Sequence, residues 1–359
     1  MNQITNTDLP DVLRDADGRR ITNAEEWRRQ RQRLLSLIEI EYGALPPIPP
    51  TTTGVELHSH LIERLGNARH TQYQLATGPN ENFTFLLDVL APASEGASSG
   101  AHPVVLTGDA CWGFVTDDIA VEVLRRGYAL AQFIRTEIAP DVYHTHAERN
   151  AGLCRVYPGG DYGALAAWAW GYHRCIDFLT TLPFVDAARI AVTGHSRGGK
   201  AALLAGAADE RIALTAPNNS GCGGAGCFRI QGPGSETLKD IVTRFPRWFS
   251  PRFQAWIDKE RALPFDQHFV KALVAPRALL STEALGDLWA NPSGTFQTHL
   301  AAREVYRLLG HEERIGIWYR AGGHAQGLDD WRALLDFADW QLLGKAPARR
   351  FDINPFAAG

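Results

Sequence analysis

The stretch RIAVTGHSRGGKAALLAG, residues 189–206, joins an apolar run to a helix of small residues through a serine set between glycines. Residues 194–198 fit the pattern G-x-S-x-G, with Ser196 at the centre. A β-branched strand before the serine and a small-residue helix after it form the context that a nucleophile elbow requires. Glycine permits the sharp turn and the close approach of helix to strand. The stretch therefore predicts a nucleophilic Ser196, against the simpler interpretation of a plain strand–helix turn.

Apolar strands and helices alternate on both sides of this unit. Their alternation predicts an α/β fold, in which helices cover both faces of a mostly parallel sheet. Besides the strand before Ser196, the predicted strands are 103–108, 128–134, 212–221, 276–283 and 314–322, and the predicted helices are 117–127, 162–182 and 328–343.

The N-terminal part, residues 1–53, is predicted to be a helix followed by a Pro-rich connector. Thr22 and Glu25 have capping-box spacing, and Gly43 is placed to end the helix. We interpret the polar stretch 91–103 as a turn between two strands.

Residues 225–270 interrupt the alternation, because they are rich in Trp, Phe and Pro. We interpret this segment as an insertion over the C-terminal edge of the sheet, where sites in such folds lie. The whole chain, residues 1–359, is then one domain.

A serine nucleophile needs a base, and α/β-hydrolases supply an acid and then a histidine later in the chain. His268, His299, His311 and His324 are the candidates by position. His324 follows the last predicted strand, in a Gly-rich loop before the closing helix, and is therefore the predicted base.

Two carboxylates compete for the acid's role. Glu283 ends the strand 276–283, and Asp287 lies in the loop that follows it. A loop residue is better placed to reach His324, so Asp287 is favoured and Glu283 stays the alternative. The acid would fix the imidazole tautomer and stabilise the imidazolium.

Two positively charged residues follow Ser196 closely in the sequence. Arg197 follows the nucleophile directly, where the backbone N–H donates to the oxyanion, and its guanidinium can add positive charge there. Lys200 lies four residues after Ser196 and shares its helix face. It is suited to binding sugar hydroxyls or a carboxylate, although a solvated surface lysine is the alternative.

Composition excludes several classes of protein. The chain has 359 residues, 45% of them apolar and 21% charged, and a formal net charge of −4, which is typical of a globular protein. Nothing indicates nucleic-acid or membrane binding. No signal peptide is visible at the N-terminus, so a cytoplasmic location and a secreted protein with a trimmed signal both stay open.

Neither a metal site nor a disulfide framework is expected. The five cysteines fit no zinc pattern, and Cys222 and Cys227 are either paired or free buried thiols. His144 and His146 lack a third ligand at a suitable spacing, and we interpret them as loop residues.

At GHSRGGK the sequence resembles the glucuronoyl esterases of carbohydrate esterase family 15, whose elbow reads G-x-S-R-x-G-K. The resemblance extends over nearly the whole chain. It includes the stretches GDYGALAAWAWG, SGCGGAG, LPFDQH, APRALL, DLWANP and GGHAQ. It implies an α/β-hydrolase fold as a three-layer sandwich. It also implies hydrolysis of the ester that joins 4-O-methyl-glucuronic acid branches of xylan to lignin alcohols.

The resemblance also implies roles for single residues. Ser196 and His324 match the nucleophile and the base, and Arg197 matches the arginine that completes the oxyanion hole. Lys200 matches a lysine that binds uronate hydroxyls. Trp289 matches a tryptophan that packs against the sugar in the family. Glu236 matches an acidic residue that binds a sugar hydroxyl.

The chain departs from the fungal members at two positions. Asn219, in PNNSG, stands where many members have the catalytic glutamate. Some bacterial members carry an aspartate two residues before the tryptophan, and Asp287 and Trp289 have that spacing. His195 replaces a fungal cysteine, so the disulfide of those members cannot form here.

The sequence therefore predicts a serine esterase acting on uronate esters through an acyl-enzyme, without cofactor or metal. Trp248 and other aromatic residues of 225–270 would shape the rim of the site. A carbohydrate ester is the expected partner, and a monomer is expected. The alternatives are an acetyl-xylan or general carboxylesterase with the same triad, and a catalytically silent carbohydrate-binding relative.

Overall fold

A computed structural model describes residues 9–93, 100–142 and 151–356. Nine strands form one sheet within these ranges, in the order β1-β2-β3-β5-β4-β6-β7-β8-β9. The strands are β1 (Thr52–Ile62), β2 (Ala68–Thr77), β3 (Phe83–Ala91), β4 (His102–Thr107), β5 (Ala129–Phe133), β6 (Val185–His195), β7 (Leu214–Asn218), β8 (Ala278–Ala284) and β9 (Ile315–Arg320). Neighbours from β5 to β9 are parallel, and the three pairings from β1 to β5 through β3 are antiparallel.

Helices cover both faces of the sheet. They are α1 (Ala24–Tyr42), α2 (Asp117–Arg125), α3 (Arg135–Ile138), α4 (Leu153–Val156), α5 (Ala164–Leu179), α6 (Arg197–Ala208), α7 (Leu238–Arg244), α8 (His268–Ala272), α9 (Pro292–Leu308) and α10 (Leu328–Leu343). Helices α2 and α10 share one apolar core with the sheet, and α1, α5, α6, α8 and α9 share the other. The predicted three-layer α/β fold is confirmed.

The central strands are buried on both faces, which explains their unbroken apolar sequences. In β4, Val104 and Leu106 point into the core shared with α5 and α6, and Val105 points into the core shared with α2 and α10. Successive side chains of a strand alternate between faces. Each predicted strand and helix of the alternating pattern corresponds to an observed element. Strands β1 and β2 and helices α3, α4, α7, α8 and α9 have no counterpart among the predicted elements.

The predicted start of α1 is wrong by one residue. Asn23, not Thr22, is the N-cap, and its side chain accepts the N–H of Glu26 (3.0 Å). The Glu26 carboxylate in turn accepts the N–H of Thr22 (2.8 Å). Asn and Thr both cap helices well, so the two adjacent candidates could not be separated by type. Gly43 ends the helix as predicted, with φ 77°.

The aromatic residues of segment 225–270 lie both beside the active-site cavity and in the apolar core. Phe245 and Trp248 line a cavity beside Ser196. Phe265 and Phe269, at its end, belong to the main core around α6 and α9. Part of the segment is thus placed next to the nucleophile and part lies inside the helical layer.

Three further expectations concern single residues and the membrane. The five cysteines are free, so Cys222 and Cys227 are buried thiols and not a disulfide. His144 and His146 lie outside the described residues. No helix in the described ranges is long and apolar enough to span a bilayer.

Helix α6 packs against β7 at Gly206, where a Cβ would overlap the side chain of Thr215. We expect Gly206→Ala to lower the free energy of unfolding by about 1–3 kcal/mol through overpacking, despite the better helix propensity of alanine. Urea denaturation measures this loss. Gly159→Ala is the control, since no atom lies within 4 Å of its Cβ position. Equal stability of the two variants would contradict this account of the packing.

Candidate active site

Ser196 occupies the turn between β6 and α6. Its backbone has φ 54° and ψ −119°, a conformation that non-glycine residues adopt only under constraint. The Ser196 N–H donates to the carbonyl of Asn218 (2.9 Å), and the Ser196 carbonyl accepts the N–H of Lys200 (3.1 Å). A Cβ at Gly194 would overlap the backbone of Gly198. The pattern G-x-S-x-G is therefore required by sterics at this turn.

A carboxylate that is 15% exposed supports the nucleophile elbow. Asp109, in the loop after β4, accepts the backbone N–H of His195 (2.6 Å) and is ion-paired with the fully buried Arg135. A Cβ at Gly198 would overlap this carboxylate. Burial raises the pKa of Asp109, and Arg135 opposes that rise. The sequence analysis missed this pair, because no local pattern links the two residues.

His324 and Asp287 form a hydrogen-bonded chain with the serine. His324 Nε2 lies 2.9 Å from Ser196 Oγ, and His324 Nδ1 lies 2.6 Å from Asp287 Oδ2. A carboxylate only accepts, so Nδ1 carries the proton and Nε2 is left to accept from the serine hydroxyl. The three side chains come from loops that follow β6, β8 and β9. The arrangement can transfer the serine proton to the imidazole.

Glu283, the alternative acid, does not contact His324. It lies within β8, fully buried, and neither carboxylate oxygen has a hydrogen-bond partner among the described residues. Burial raises its pKa well above the usual range, and the nearby Lys271 opposes this shift. Burial likewise lowers the pKa of Lys271 to about 7. Of the two carboxylates, the structure brings Asp287 to the imidazole.

Arg197 is fixed by a carboxylate and two aromatic rings. Its Nη1 donates to Asp141 Oδ2 (2.9 Å), and its guanidinium carbon lies 4.6 Å from the ring centre of Trp248 and 5.1 Å from that of Phe245. The two rings are stacked 3.7 Å apart, and Trp248 Nε1 donates to Asp141 Oδ1 (2.9 Å). Trp248 is buried, so it supports Arg197 and does not stand out at the rim.

Lys200, Glu236 and Trp289 line the same cavity as Ser196 and His324. The Lys200 ammonium donates to the carbonyls of Ser220 (2.6 Å) and Cys222 (2.5 Å) and lies 3.9 Å from Glu236 Oε2. Lys200 and Glu236 are buried, which lowers the pKa of the lysine and raises that of the glutamate. Trp289 is 46% exposed. Arg244 also lines the cavity, and sequence reasoning missed it because nothing local distinguishes it from a surface arginine.

The comparisons with known proteins identify the family. Residues 76–310 match the family described as "Glucuronyl esterase, fungi". The chain belongs to the glucuronoyl esterase family. It is 32% identical to a 4-O-methyl-glucuronoyl methylesterase from Schizophyllum commune, over 95% of this chain and 84% of that protein.

Two solved structures of the family are similar to this chain. A carbohydrate esterase family 15 glucuronoyl esterase from Caldicellulosiruptor kristjansonii has a TM-score of 0.83 and 32% identity, covering 98% of this chain and 94% of that one. A mutant glucuronoyl esterase from Sporotrichum thermophile, in complex with methyl 4-O-methyl-β-D-glucopyranuronate, has a TM-score of 0.76 and 25% identity, covering 96% and 91%. The resemblance drawn from the sequence is confirmed.

The two departures from fungal members have a structural consequence. Asn219 does not reach the imidazole ring; its amide donates to the His324 carbonyl (3.0 Å) and accepts the N–H of Ala284 (2.7 Å). Asn219 thus ties the loop of the histidine to β8. An amide can make both bonds, whereas a carboxylate could not donate.

The ring of His195 packs against the ring of the catalytic candidate His324. Its ring centre lies 4.6 Å from that of His324, and its Nδ1 lies 2.7 Å from Asn218 Oδ1. The Asn218 amide nitrogen donates to Thr282 and Asp330, so its oxygen accepts from His195. Burial lowers the pKa of His195 to about 4. A neutral His195 does not repel positive charge on His324.

The two carboxylates can be separated by matched amide variants. We expect Asp287→Asn to lower kcat for a chromogenic ester about 10³–10⁴-fold, because the amide favours the wrong imidazole tautomer. Glu283→Gln should change kcat less than about tenfold, since it replaces a buried carboxyl that does not touch His324. Equal losses in both variants, at unchanged Tm, would contradict the assignment.

Proposed function

We propose that this chain hydrolyses esters of 4-O-methyl-glucuronic acid through an acyl-enzyme on Ser196. The observation that carries the proposal is the hydrogen-bonded series Ser196–His324–Asp287, whose serine and histidine line one cavity with Lys200 and Glu236. The relatives named 4-O-methyl-glucuronoyl methylesterase, and the neighbouring structure in complex with a methyl glucuronate, support this substrate.

In the proposed reaction, Ser196 Oγ attacks the ester carbonyl while His324 Nε2 accepts its proton. Asp287 holds Nδ1–H and stabilises the imidazolium. The tetrahedral intermediate collapses, and His324 gives its proton to the leaving alcohol. Water, deprotonated by His324, then attacks the acyl carbonyl. The bond to Ser196 Oγ breaks, His324 returns the proton to Oγ, and the uronic acid is released.

The oxyanion would be bound by the backbone N–H of Arg197 and by its guanidinium. One such donor is worth about 3–4 kcal/mol of transition-state stabilisation. A flexible arginine would have to be ordered in each turnover. Here Asp141, Trp248 and Phe245 already hold the guanidinium in place in the folded protein. The entropy of ordering this side chain is therefore lost during folding and not in each catalytic cycle.

Lys200 and Glu236 would recognise the sugar hydroxyls. An ammonium has three donors, and two of those of Lys200 go to the carbonyls of Ser220 and Cys222. The third remains for Glu236 or for a hydroxyl of the substrate. A sugar hydroxyl both donates and accepts, so it can bridge the lysine and the glutamate. An acetyl group offers no hydroxyl, and an acetylesterase would leave this buried pair without a role.

The alcohol half of the ester would lie against an apolar rim, and for this reason we include lignin alcohols among the substrates. Leu285 and Leu288 are exposed in the loop around Asp287. Trp112 is exposed beside His195, with the two ring centres 5.9 Å apart, and Phe114 is exposed two residues further along the chain. Exposed apolar groups on both sides suit an aromatic alcohol.

Substrate recognition is tested with benzyl glucuronate and benzyl acetate. We expect the wild type to prefer the glucuronate, and Lys200→Ala and Glu236→Gln to lower its kcat/KM roughly 10–100-fold, the loss of one charged hydrogen bond. The acetate should be affected less than about threefold. Lys239→Ala, an exposed lysine in α7, is the control. If the wild type prefers acetate, or both esters fall equally, the proposed sugar recognition is wrong.

The leaving group is tested by the ratio of kcat/KM for benzyl and methyl glucuronate. Leu288 is 52% exposed, so Leu288→Ser should leave folding intact. We expect it to lower the ratio by about two- to fivefold, since less apolar surface is buried against the benzyl ring. Leu61→Ser, an exposed leucine of β1, is the control. An unchanged ratio would exclude this part of the rim as the alcohol site.

A further inference from the structure

Three histidines meet on the edge of the sheet that lies far from Ser196. His58 and His60 are two residues apart on β1, so their side chains share a face. His60 is paired directly with His70 on β2. The ring centres lie 5.1–5.7 Å apart. One nitrogen of each ring lies within 4.8 Å of one nitrogen of each of the others.

The spacing is close to that of a metal site. Zinc binds imidazole nitrogen at about 2.0–2.1 Å, which places the nitrogens of a tetrahedral site about 3.4 Å apart. His58 and His60 are exposed, and rotation of their side chains can shorten the present distances.

A buried carboxylate orients the third histidine. Asp88, on β3, is 5% exposed, and its Oδ1 lies 2.7 Å from His70 Nε2. Gln72 donates to both oxygens of Asp88 (3.1 and 3.3 Å) and holds the carboxylate in place. The bond to Asp88 places the proton of His70 on Nε2 and leaves Nδ1 as the coordinating atom. A carboxylate behind a histidine is the usual outer partner of a metal ligand.

We propose that His58, His60 and His70 bind one divalent transition-metal ion, Zn²⁺ above all, with Asp88 as the outer partner of His70. A fourth position faces solvent, because two of the ligands are exposed, and takes water. The ion would join the edge strand β1 to β2. Five strand spacings, about 24 Å, separate β1 from β6, so the site is independent of the esterase reaction.

The test is calorimetric titration of the metal-free chain with ZnCl₂, with Co²⁺ absorption as a second readout. We expect one Zn²⁺ per chain and the strong visible bands of four-coordinate Co²⁺. His60→Gln and His70→Gln should each abolish the bands, and Asp88→Asn should weaken binding about 10–100-fold. All three variants should keep the wild-type kcat/KM, which shows that they are folded.

His311→Gln is the matched control, since His311 is a half-buried histidine outside the cluster, 3.7 Å from Glu313. It should bind Zn²⁺ as the wild type does. Absence of binding to the wild type would overturn the proposal. The proposal would also be overturned if His60→Gln and His70→Gln still bound one Zn²⁺ per chain while His324→Gln bound none. The metal would then lie at the catalytic histidine.

Discussion

The backbone of Ser196 is the constraint on which the site depends. A serine at φ 54° costs about 1–3 kcal/mol relative to an ordinary conformation. The surroundings maintain it: Asp109 accepts the N–H of the preceding residue, and the Asn218 carbonyl accepts that of the serine. The Asp109 carboxylate is itself held by Arg135, whose guanidinium lies over the rings of Trp112 and Trp168. The strained conformation is therefore maintained by residues that do not contact the reacting atoms.

Parallel strand order turns this local constraint into an active site. Strands β6, β7, β8 and β9 are neighbours, and their carboxyl ends lie at one edge of the sheet. The loops that follow them carry Ser196, Asn219, Asp287 and His324 in that order. Asn219 links the two outer loops by binding the His324 backbone and β8. Strand pairing and the Asn219 amide thus position the loop that carries His324, and contacts of the imidazole ring with Asp287 and His195 orient the base.

The sequence predicts those parts of the molecule that local patterns encode. Buried parallel strands give unbroken apolar runs, and the G-x-S-x-G turn is imposed by close backbone contacts, so both are readable. Contacts between distant segments are not: Asp109 with Arg135, Arg197 with Asp141, and the histidines of β1 and β2 meet only after the sheet has formed. The antiparallel strands β1 and β2 escaped prediction because β1 is exposed along most of its length and the pairing of the two strands shifts register between Glu56 and His58. The start of α1 was predicted one residue too early because Thr22 and Asn23 are adjacent and are nearly equally good N-caps.

Charge balance in the cavity connects the structure to turnover. Arg197, Lys200 and Arg244 line it, and each of the first two has a carboxylate close by: Asp141 lies 2.9 Å from Arg197, and Glu236 lies 3.9 Å from Lys200. The proposed substrate is a neutral ester, whereas the product is a carboxylate. Unpaired buried cations would bind that product more tightly than the substrate and slow its release. With Asp141 and Glu236 in place, the field of the cations is reduced over the whole cavity, yet their N–H donors still reach specific atoms. Hydrogen-bond direction, more than net charge, then distinguishes the transition state from both the ester and the acid.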